Sequence, residues 1–131
     1  DFNLVTGGTD NHMILIDLKN HNISGAKFEK IAEMCGVSVN KNTLASDKSA
    51  LNPSGIRIGT PAMTTRGFKK NNFNFVADIL KRILILTIRI NVLSKTNKMV
   101  DFNQNIIFFN REIKDIYLNV TNYCTKFPLP K

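Results

Sequence analysis

The chain has 131 residues, of which 43% are apolar and nine are phenylalanine, a composition that suits one domain with a hydrophobic core and argues against disorder. Its longest apolar run, residues 83–88, falls far short of the roughly 20 residues that cross a bilayer, so no membrane partner is expected. The net charge of +8 comes from residues 66–131, which carry twelve basic and four acidic side chains. No zinc-finger or RNP-type motif accompanies that charge, so a solvated basic face is favoured over a nucleic-acid interface.

The first half of the chain predicts strands around one helix. Residues 12–18 form a short apolar run bounded by turn residues, which is typical of a buried strand. Ser24 is expected to cap a helix that Gly36 ends. The helix buries an apolar face at i, i+3, i+4 and i+7 spacing, made of Phe28, Ile31, Ala32 and Cys35. Strands are also predicted at residues 37–39 and 55–60, with a polar loop over residues 43–53 between them.

The second half predicts two helices. Asn71 and Asn72 are expected to cap a long helix that runs to about Ser94, although the β-branched residues of 83–92 make a strand a competitor there. A polar connector is predicted over residues 95–102, and a terminal helix then ends before Pro128. The apolar faces are Phe73, Val76, Leu80, Ile83, Leu86, Ile90 and Leu93 in the first helix, and Ile113, Ile116, Tyr117, Val120, Cys124 and Phe127 in the second.

The order of these elements predicts an α/β (α+β) domain in which helices cover a short mixed or antiparallel sheet. Cys35 and Cys124 are the only cysteines, and both lie in apolar helical patterns. That usage indicates free, buried thiols in a reducing, intracellular compartment. The chain runs from Asp1 directly into a glycine pair without an initiator methionine, and we interpret it as the downstream piece of a longer polypeptide.

Motifs for self-sufficient catalysis are absent from the sequence. It contains no phosphate loop, GxGxxG, CxxC or HExxH pattern. The two histidines, His12 and His21, and the two cysteines lack metal-ligand spacing, so no metal site is expected.

Arg57 is the strongest candidate for a binding residue. It lies in a short apolar strand between Gly55 and Gly59, and such glycines would allow unusual torsions and the close approach of a small ligand. An arginine offers a planar fork of donors that matches a carboxylate, which lysine cannot imitate. The alternative interpretation is a solvated strand arginine or a surface ion pair.

Three motifs in order resemble the C-terminal domain of serine hydroxymethyltransferases. They are TGGTDNH at residues 6–12, VNKNT at 39–43 and SGIRIGTPAMTTRGF at 54–68, and FPLP at 127–130 looks like the family's usual ending. The resemblance covers about residues 4–78. It implies that residues 1–131 form the small domain that packs beside a larger cofactor domain, in the fold shared with aspartate aminotransferase. It also implies an enzyme that uses pyridoxal phosphate and tetrahydrofolate to interconvert serine and glycine.

The resemblance also implies roles for individual residues. Arg57 would hold the carboxylate of serine or glycine, and Asn42 would contact the folate pterin ring, although an Asx turn would equally explain an asparagine there. A family loop that touches folate corresponds to Ser49, Ala50 and Leu51. No role carries over to residues 6–12, and we interpret His12 as a hydrogen-bonded core or interface histidine.

The catalytic groups of the family are expected upstream of this chain. The Schiff-base lysine, the aspartate that faces the pyridine nitrogen and the histidine that stacks on the ring have no counterpart here, and Lys41 lies in the wrong motif. The isolated chain should therefore be inactive, while the parent is expected to be a cytoplasmic or mitochondrial homodimer. Two alternatives stay open: a degenerate, non-catalytic paralogue that partners an active enzyme, and a basic nucleic-acid-binding module.

Overall fold

The computed structural model describes residues 2–131 and contains, in that range, one small antiparallel sheet. Its strands are β1 (Asn3–Leu4), β2 (Met13–Asp17), β3 (Asn40–Asn42) and β4 (Gly55–Gly59), in the spatial order β1-β2-β4-β3. Every neighbouring pair is antiparallel. The strands predicted around residues 12–18 and 55–60 are confirmed, and the sheet is antiparallel, not mixed.

Helices pack on one face of this sheet, which confirms the predicted α/β class. They are α1 (Gly25–Met34), α2 (Pro61–Thr65), α3 (Lys70–Val92), α4 (Met99–Asn105) and α5 (Asn110–Cys124). Helix α1 contacts β3 and β4 on one side and α3 on the other, and α3 in turn contacts α4 and α5. The strand residues Ile16 and Ile56 point into this layer and are almost fully buried.

Helix α1 follows its sequence signals closely. The Ser24 hydroxyl accepts a hydrogen bond from the Lys27 N–H at 3.3 Å, as expected of an N-cap. The predicted apolar face, Phe28, Ile31, Ala32 and Cys35, is completely buried. Gly36 ends the helix with a φ of 78°. Burial raises the pKa of the Cys35 thiol to about 11, so this cysteine is a small core residue with little thiolate character.

The strand predicted at residues 37–39 is wrong. The Val37 N–H donates to Ala32 O at 2.9 Å, which closes the end of α1 instead of entering a ladder. Val39 is buried in the core cluster. The strand begins one residue later, at Asn40, where the backbone comes into register with Arg57.

The long helix is confirmed, and residues 83–92 are helical, not extended. Its cap differs from the prediction, because Lys69 is the N-cap residue. The side-chain oxygen of Asn72, which lies in the first turn of the helix, accepts a hydrogen bond from the Lys69 N–H at 2.7 Å. Leu93, predicted to be apolar core, lies just beyond the helix and is 50% exposed. The polar residue Thr87 is fully buried instead, because its hydroxyl donates to Ile83 O at 2.8 Å.

The polar connector predicted over residues 95–102 is wrong in its second half, because α4 begins at Met99. Phe102 is the reason, since this side chain is fully buried and α4 delivers it to the core. The predicted terminal helix is confirmed as α5, with Ile113, Ile116 and Val120 buried, whereas Tyr117 is 46% exposed.

The chain's last residues are fastened to the segment that follows β4. The Arg66 guanidinium donates to Cys124 O at 2.9 Å and, through two nitrogens, to Phe127 O at 2.6 and 3.0 Å. The Phe127 ring packs on that of Phe68 with centroids 4.4 Å apart. These contacts tie the end of α5 and the residues after it to the segment that follows β4.

Candidate functional site

Arg57 occupies the middle of β4 and points away from the helices. Its strand neighbours Ile56 and Ile58 belong to or pack against the core cluster, and strand alternation places Arg57 on the opposite face. It lies directly across from Leu15 of β2 and Asn40 of β3. We call this side the open face of the sheet, made of Met13, Leu15, Asn40, Asn42 and Arg57.

The Arg57 guanidinium is exposed and has no polar partner among residues 2–131. No hydrogen bond or ion pair joins it to any of these residues. The alternative interpretation of Arg57 as one half of a surface ion pair therefore has no support among residues 2–131, because no acidic side chain in that range pairs with it. The fork of five donors is available to a ligand or to another surface.

Two shallow depressions, each of about 350 Å³, adjoin Arg57 on the open face. One lies toward the loop that precedes β2, and we call it the turn-side depression. It is lined by Val5, Thr6, Gly8, Thr9, Asn11, Met13, Ile14, Leu15, Asn42 and Arg57. The other, the edge depression, is lined by His12, Met13, Ser38, Val39, Asn40, Arg57 and Gly59. The three sequence motifs thus meet around one arginine.

The loop over residues 6–12 is tied down by its own hydrogen bonds. The Thr9 hydroxyl donates to Met13 O at 2.5 Å, and the Asn11 side-chain oxygen accepts the Met13 N–H at 2.8 Å. Thr6 and Gly7 both have positive φ angles, 64° and 76°. A tight turn that enters β2 therefore explains Gly7. No local pattern in residues 6–12 predicts that the turn borders Arg57, because that arrangement depends on strand pairing.

Two expectations about this region are wrong, the first of them in part. His12 is exposed, and among residues 2–131 only its carbonyl is engaged, by the Thr60 N–H at 3.1 Å, so it is not a core histidine, while its place at an interface stays a prediction. Gly55 and Gly59 do not have positive φ angles. Gly55 is required by packing, because a Cβ there would lie 2.6 Å from Leu44 Cδ2 and 2.8 Å from Asn42 O.

Asn42 lies on the open face and lines the turn-side depression together with Arg57. It is the last residue of β3, opposite Gly55. Its side-chain nitrogen donates to Thr43 O at 2.9 Å, a contact different from the Asx turn considered as the alternative, in which the side-chain oxygen accepts from the backbone. The amide can present its oxygen to a ligand.

Ser49, Ala50 and Leu51 form the exposed tip of the loop before β4, and Leu51 is 95% exposed. They line neither depression beside Arg57. The base of the loop is fixed by Asp47, which accepts the N–H groups of Leu44 at 2.8 Å and Ser54 at 3.0 Å. The structure therefore holds the loop rigidly at its base and presents its tip to solvent.

Asp47 makes the stability of this loop sensitive to acid. Its side chain is only 4% exposed and also pairs with Lys19 Nζ at 3.1 Å. Hydrogen bonds from the Leu44 backbone, the Ser54 side chain and backbone, and Lys19 hold the pKa of this carboxyl far below its usual range. The unfolded chain, with a carboxyl pKa of about 3.9, therefore binds the proton first as the pH falls. The stability that Asp47 contributes is complete above that value and is lost below it.

We expect Asp47→Asn to lower the free energy of unfolding at pH 7 by about 1–3 kcal/mol, because hydrogen bonds to a charged acceptor are lost. The acid-induced loss of stability between about pH 5 and pH 2 should also become shallower. Urea unfolding of the 131-residue chain across that range measures both effects. The same change at the exposed Asp78 is the control. An unaltered pH slope in Asp47→Asn would contradict the assignment.

Among residues 2–131, no group of three or more His, Cys, Asp and Glu side chains is placed to hold a metal ion. In the same range, no helix combines the length and the apolar character needed to cross a membrane.

An antiparallel sheet backed by helices, with an exposed arginine on its open face, defines a domain that can present a carboxylate-binding group to a neighbouring surface. The family model described as serine hydroxymethyltransferase matches residues 1–80, more than half of the chain. The chain therefore belongs to the serine hydroxymethyltransferase family. The matched region contains β1 to β4, the turn at residues 6–12 and Arg57.

Individual relatives agree over almost the whole chain. It is 45% identical over 132 residues to a serine hydroxymethyltransferase of Bombyx mori. It is 39% identical over 135 residues to a mitochondrial serine hydroxymethyltransferase of Candida glabrata and 38% identical over 133 residues to a cytosolic one of Oryctolagus cuniculus. Each comparison covers 98% of this chain but only 28% of the relative. The chain thus spans about a quarter of the length of these relatives.

Proposed function

We propose that this chain is the C-terminal part of a glycine/serine hydroxymethyltransferase. The parent would interconvert serine plus tetrahydrofolate with glycine plus 5,10-methylenetetrahydrofolate. The observation that carries the proposal is Arg57, which lies unpaired among residues 2–131 on the open face, inside the region that matches the family.

Arg57 would bind the carboxylate of serine or glycine with two parallel N–H···O hydrogen bonds. Such a pair fixes the orientation of the amino acid as well as its position, and orientation decides which bond at the α-carbon can break. The rigid ladder on both sides of Arg57, to Leu15 and Asn40, keeps the base of the side chain in place. A lysine could supply the charge but not the planar geometry.

The folate would lie toward Asn42. This residue shares the turn-side depression with Arg57, and an amide can complement both donors and acceptors on the edge of a pterin ring. Ser49, Ala50 and Leu51 would contact the folate from the exposed loop tip, which supplies an almost fully exposed leucine. Because the tip lies outside the depression, the folate would have to extend beyond the depression to reach it.

Pyridoxal phosphate, when bound, supplies the electron sink for this chemistry. The lysine nearest to the candidate site in sequence, Lys41, is a poor fit for holding the cofactor, because its ammonium lies 3.6 Å from Glu29 Oε2 on α1, toward the helices. This chain's part is therefore to bind and orient the amino acid beside the cofactor, which the upstream domain would hold. The isolated chain is expected to be inactive.

The parent would be an intracellular homodimer in the cytosol or the mitochondrion. The dimer is supported only by the resemblance to the family, whose members place active sites at a subunit interface. The two compartments are supported by the names of the Candida glabrata and Oryctolagus cuniculus relatives. Analytical ultracentrifugation of the longer polypeptide, meaning this chain joined to its upstream part, would test the dimer.

The test of the proposed function is an activity measurement on that longer polypeptide. Reconstituted with pyridoxal phosphate, it should release glycine from serine in a tetrahydrofolate-dependent manner, whereas the 131-residue chain alone should release none. If the longer polypeptide binds the cofactor poorly and forms no glycine, the degenerate-paralogue alternative replaces the proposal. Steeply salt-dependent RNA binding without activity would favour the nucleic-acid alternative.

For Asn42→Ala in the longer polypeptide, the KM for tetrahydrofolate should rise about tenfold, because one or two hydrogen bonds to the ligand are lost. The KM for serine should stay within about twofold. Asn40→Ala is the matched control, since Asn40 lies two residues earlier on the same face of the same strand. Equal effects of the two substitutions on the folate KM would exclude a specific contact by Asn42.

A further inference from the structure

Gly8 is a glycine that the conformation of its own turn does not require. Its φ of 166° and ψ of −164° are those of an extended backbone, which any residue adopts. Its neighbour Gly7 is different, because a φ of 76° favours glycine. The two adjacent glycines therefore have separate explanations.

Packing within the described chain does not require Gly8 either. A Cβ built at this position meets no atom of residues 2–131 within 4 Å. At Gly25, in contrast, the added atom would lie 2.2 Å from Gly55 O. The space above Gly8 is open, and it opens into the turn-side depression beside Arg57.

The turn that carries Gly8 forms one wall of the turn-side depression and is held in place by hydrogen bonds. Thr9 and Asn11 bind the backbone of Met13 at its end, and the Thr6 hydroxyl donates to Gly8 O at 3.3 Å. Thr6 itself has a φ of 64°, which is unusual for a β-branched residue and persists only where the surroundings enforce it. A wall of this kind can limit the size of what binds against it.

The wall and the arginine border the same space. Gly8, Arg57 and Asn42 all line the turn-side depression, which lies over β2, β4 and β3. A carboxylate held by the Arg57 fork would therefore occupy the depression into which the open space above Gly8 leads.

We propose that Gly8 borders the amino-acid substrate held by Arg57 and keeps free the space that this substrate needs. The proposal rests on the proposed function and adds a steric determinant to it. The missing side chain at position 8 is therefore a requirement of the amino-acid site and not of the fold. Asn42 lines the same depression, so separate measurements of the serine and folate KM values show which ligand Gly8 borders, and a rise in the folate KM alone would overturn the proposal.

The experiment compares Gly8→Ala and Gly8→Val with wild type in the longer polypeptide loaded with pyridoxal phosphate. The KM for serine should rise about tenfold with alanine and further with valine, since one methyl group in a tight site changes binding by that order. The KM for tetrahydrofolate should not change. The melting temperature of Gly8→Ala should stay within about 2 °C of wild type, because the added atom meets open space.

Gly59→Ala is the matched variant, because it places the same methyl group in the edge depression on the other side of Arg57. A serine KM that rises for Gly59→Ala but not for Gly8→Ala would overturn the proposal, as would unchanged kinetics in both Gly8 variants. A fall in the melting temperature of Gly8→Ala would overturn the claim that the fold does not need this glycine. If the wild-type longer polypeptide is inactive, the proposed function itself has failed. Differences between the variants cannot produce that result, so the two kinds of failure can be told apart.

Discussion

Replacing Arg57 by alanine in the longer polypeptide is expected to lower kcat/KM for serine roughly 100- to 10,000-fold. Two charge-assisted hydrogen bonds to the carboxylate would be lost, each contributing about 1.5–3 kcal/mol, and each 1.4 kcal/mol corresponds to about a factor of ten. Because these bonds also set the orientation of the amino acid, kcat should fall together with binding. Steady-state kinetics with serine as the varied substrate measures both parameters.

Arg57→Lys separates charge from geometry. It keeps the positive charge but cannot form the bidentate pair, so kcat/KM should recover only in part. The control is Arg111→Ala, which removes an exposed arginine from α5. Since Arg57 makes no polar contact among residues 2–131, Arg57→Ala should hardly change the stability of the 131-residue chain. A large loss of stability would mean that Arg57 is a structural residue.

The second large effect is expected from Gly25→Ala, at the start of α1. The added Cβ would lie 2.2 Å from Gly55 O and 3.2 Å from Lys41 Cβ, so the helix or β4 has to move. Overpacking of this kind typically destabilises by about 1–3 kcal/mol, and the backbone atom in the way places Gly25→Ala at or above the upper end of that range. Urea unfolding of the 131-residue chain measures the loss.

The control for Gly25→Ala is Gly59→Ala in the same chain. A Cβ at position 59 would meet Pro61 Cδ at 3.6 Å and His12 O at 3.8 Å, which are ordinary contacts. Its effect should remain within about 0.5 kcal/mol. Equal unfolding free energies for the two variants would show that α1 and β4 can separate easily and that the close approach at Gly55 does not position the strand of Arg57.

Local sequence signals predicted the elements well wherever a residue's own chemistry decides the outcome. Ser24 caps α1, Gly36 ends it with a positive φ, and the apolar spacing of α1 corresponds to fully buried side chains. The errors occur where tertiary contacts decide. Val39 has a β-branched side chain, which is typical of strands, but it packs in the core outside any strand. The polar stretch before residue 102 is helical in its second half because α4 buries Phe102.

The candidate site likewise has a part that the local sequence predicts and a part that only tertiary contacts decide. Arg57 could be singled out from one strand and its flanking residues, because its chemistry is local. The convergence of residues 6–12 and Asn42 on that arginine depends on the antiparallel register of β2, β3 and β4. No periodicity within a single segment encodes that register. Gly55 illustrates the limit, since a glycine expected to admit a ligand is required by the approach of Leu44 and Asn42.

The central claim is that Arg57 binds the substrate carboxylate, and the most direct test is a cycle that changes both partners. The dissociation constants of serine and of serinamide, in which a neutral amide replaces the carboxylate, would be measured by calorimetry for the pyridoxal-phosphate-loaded longer polypeptide and its Arg57→Ala variant. Wild type should prefer serine by about 100-fold or more, and the variant should show almost no preference. An equal preference in both proteins would contradict the account, because the carboxylate would then be bound elsewhere.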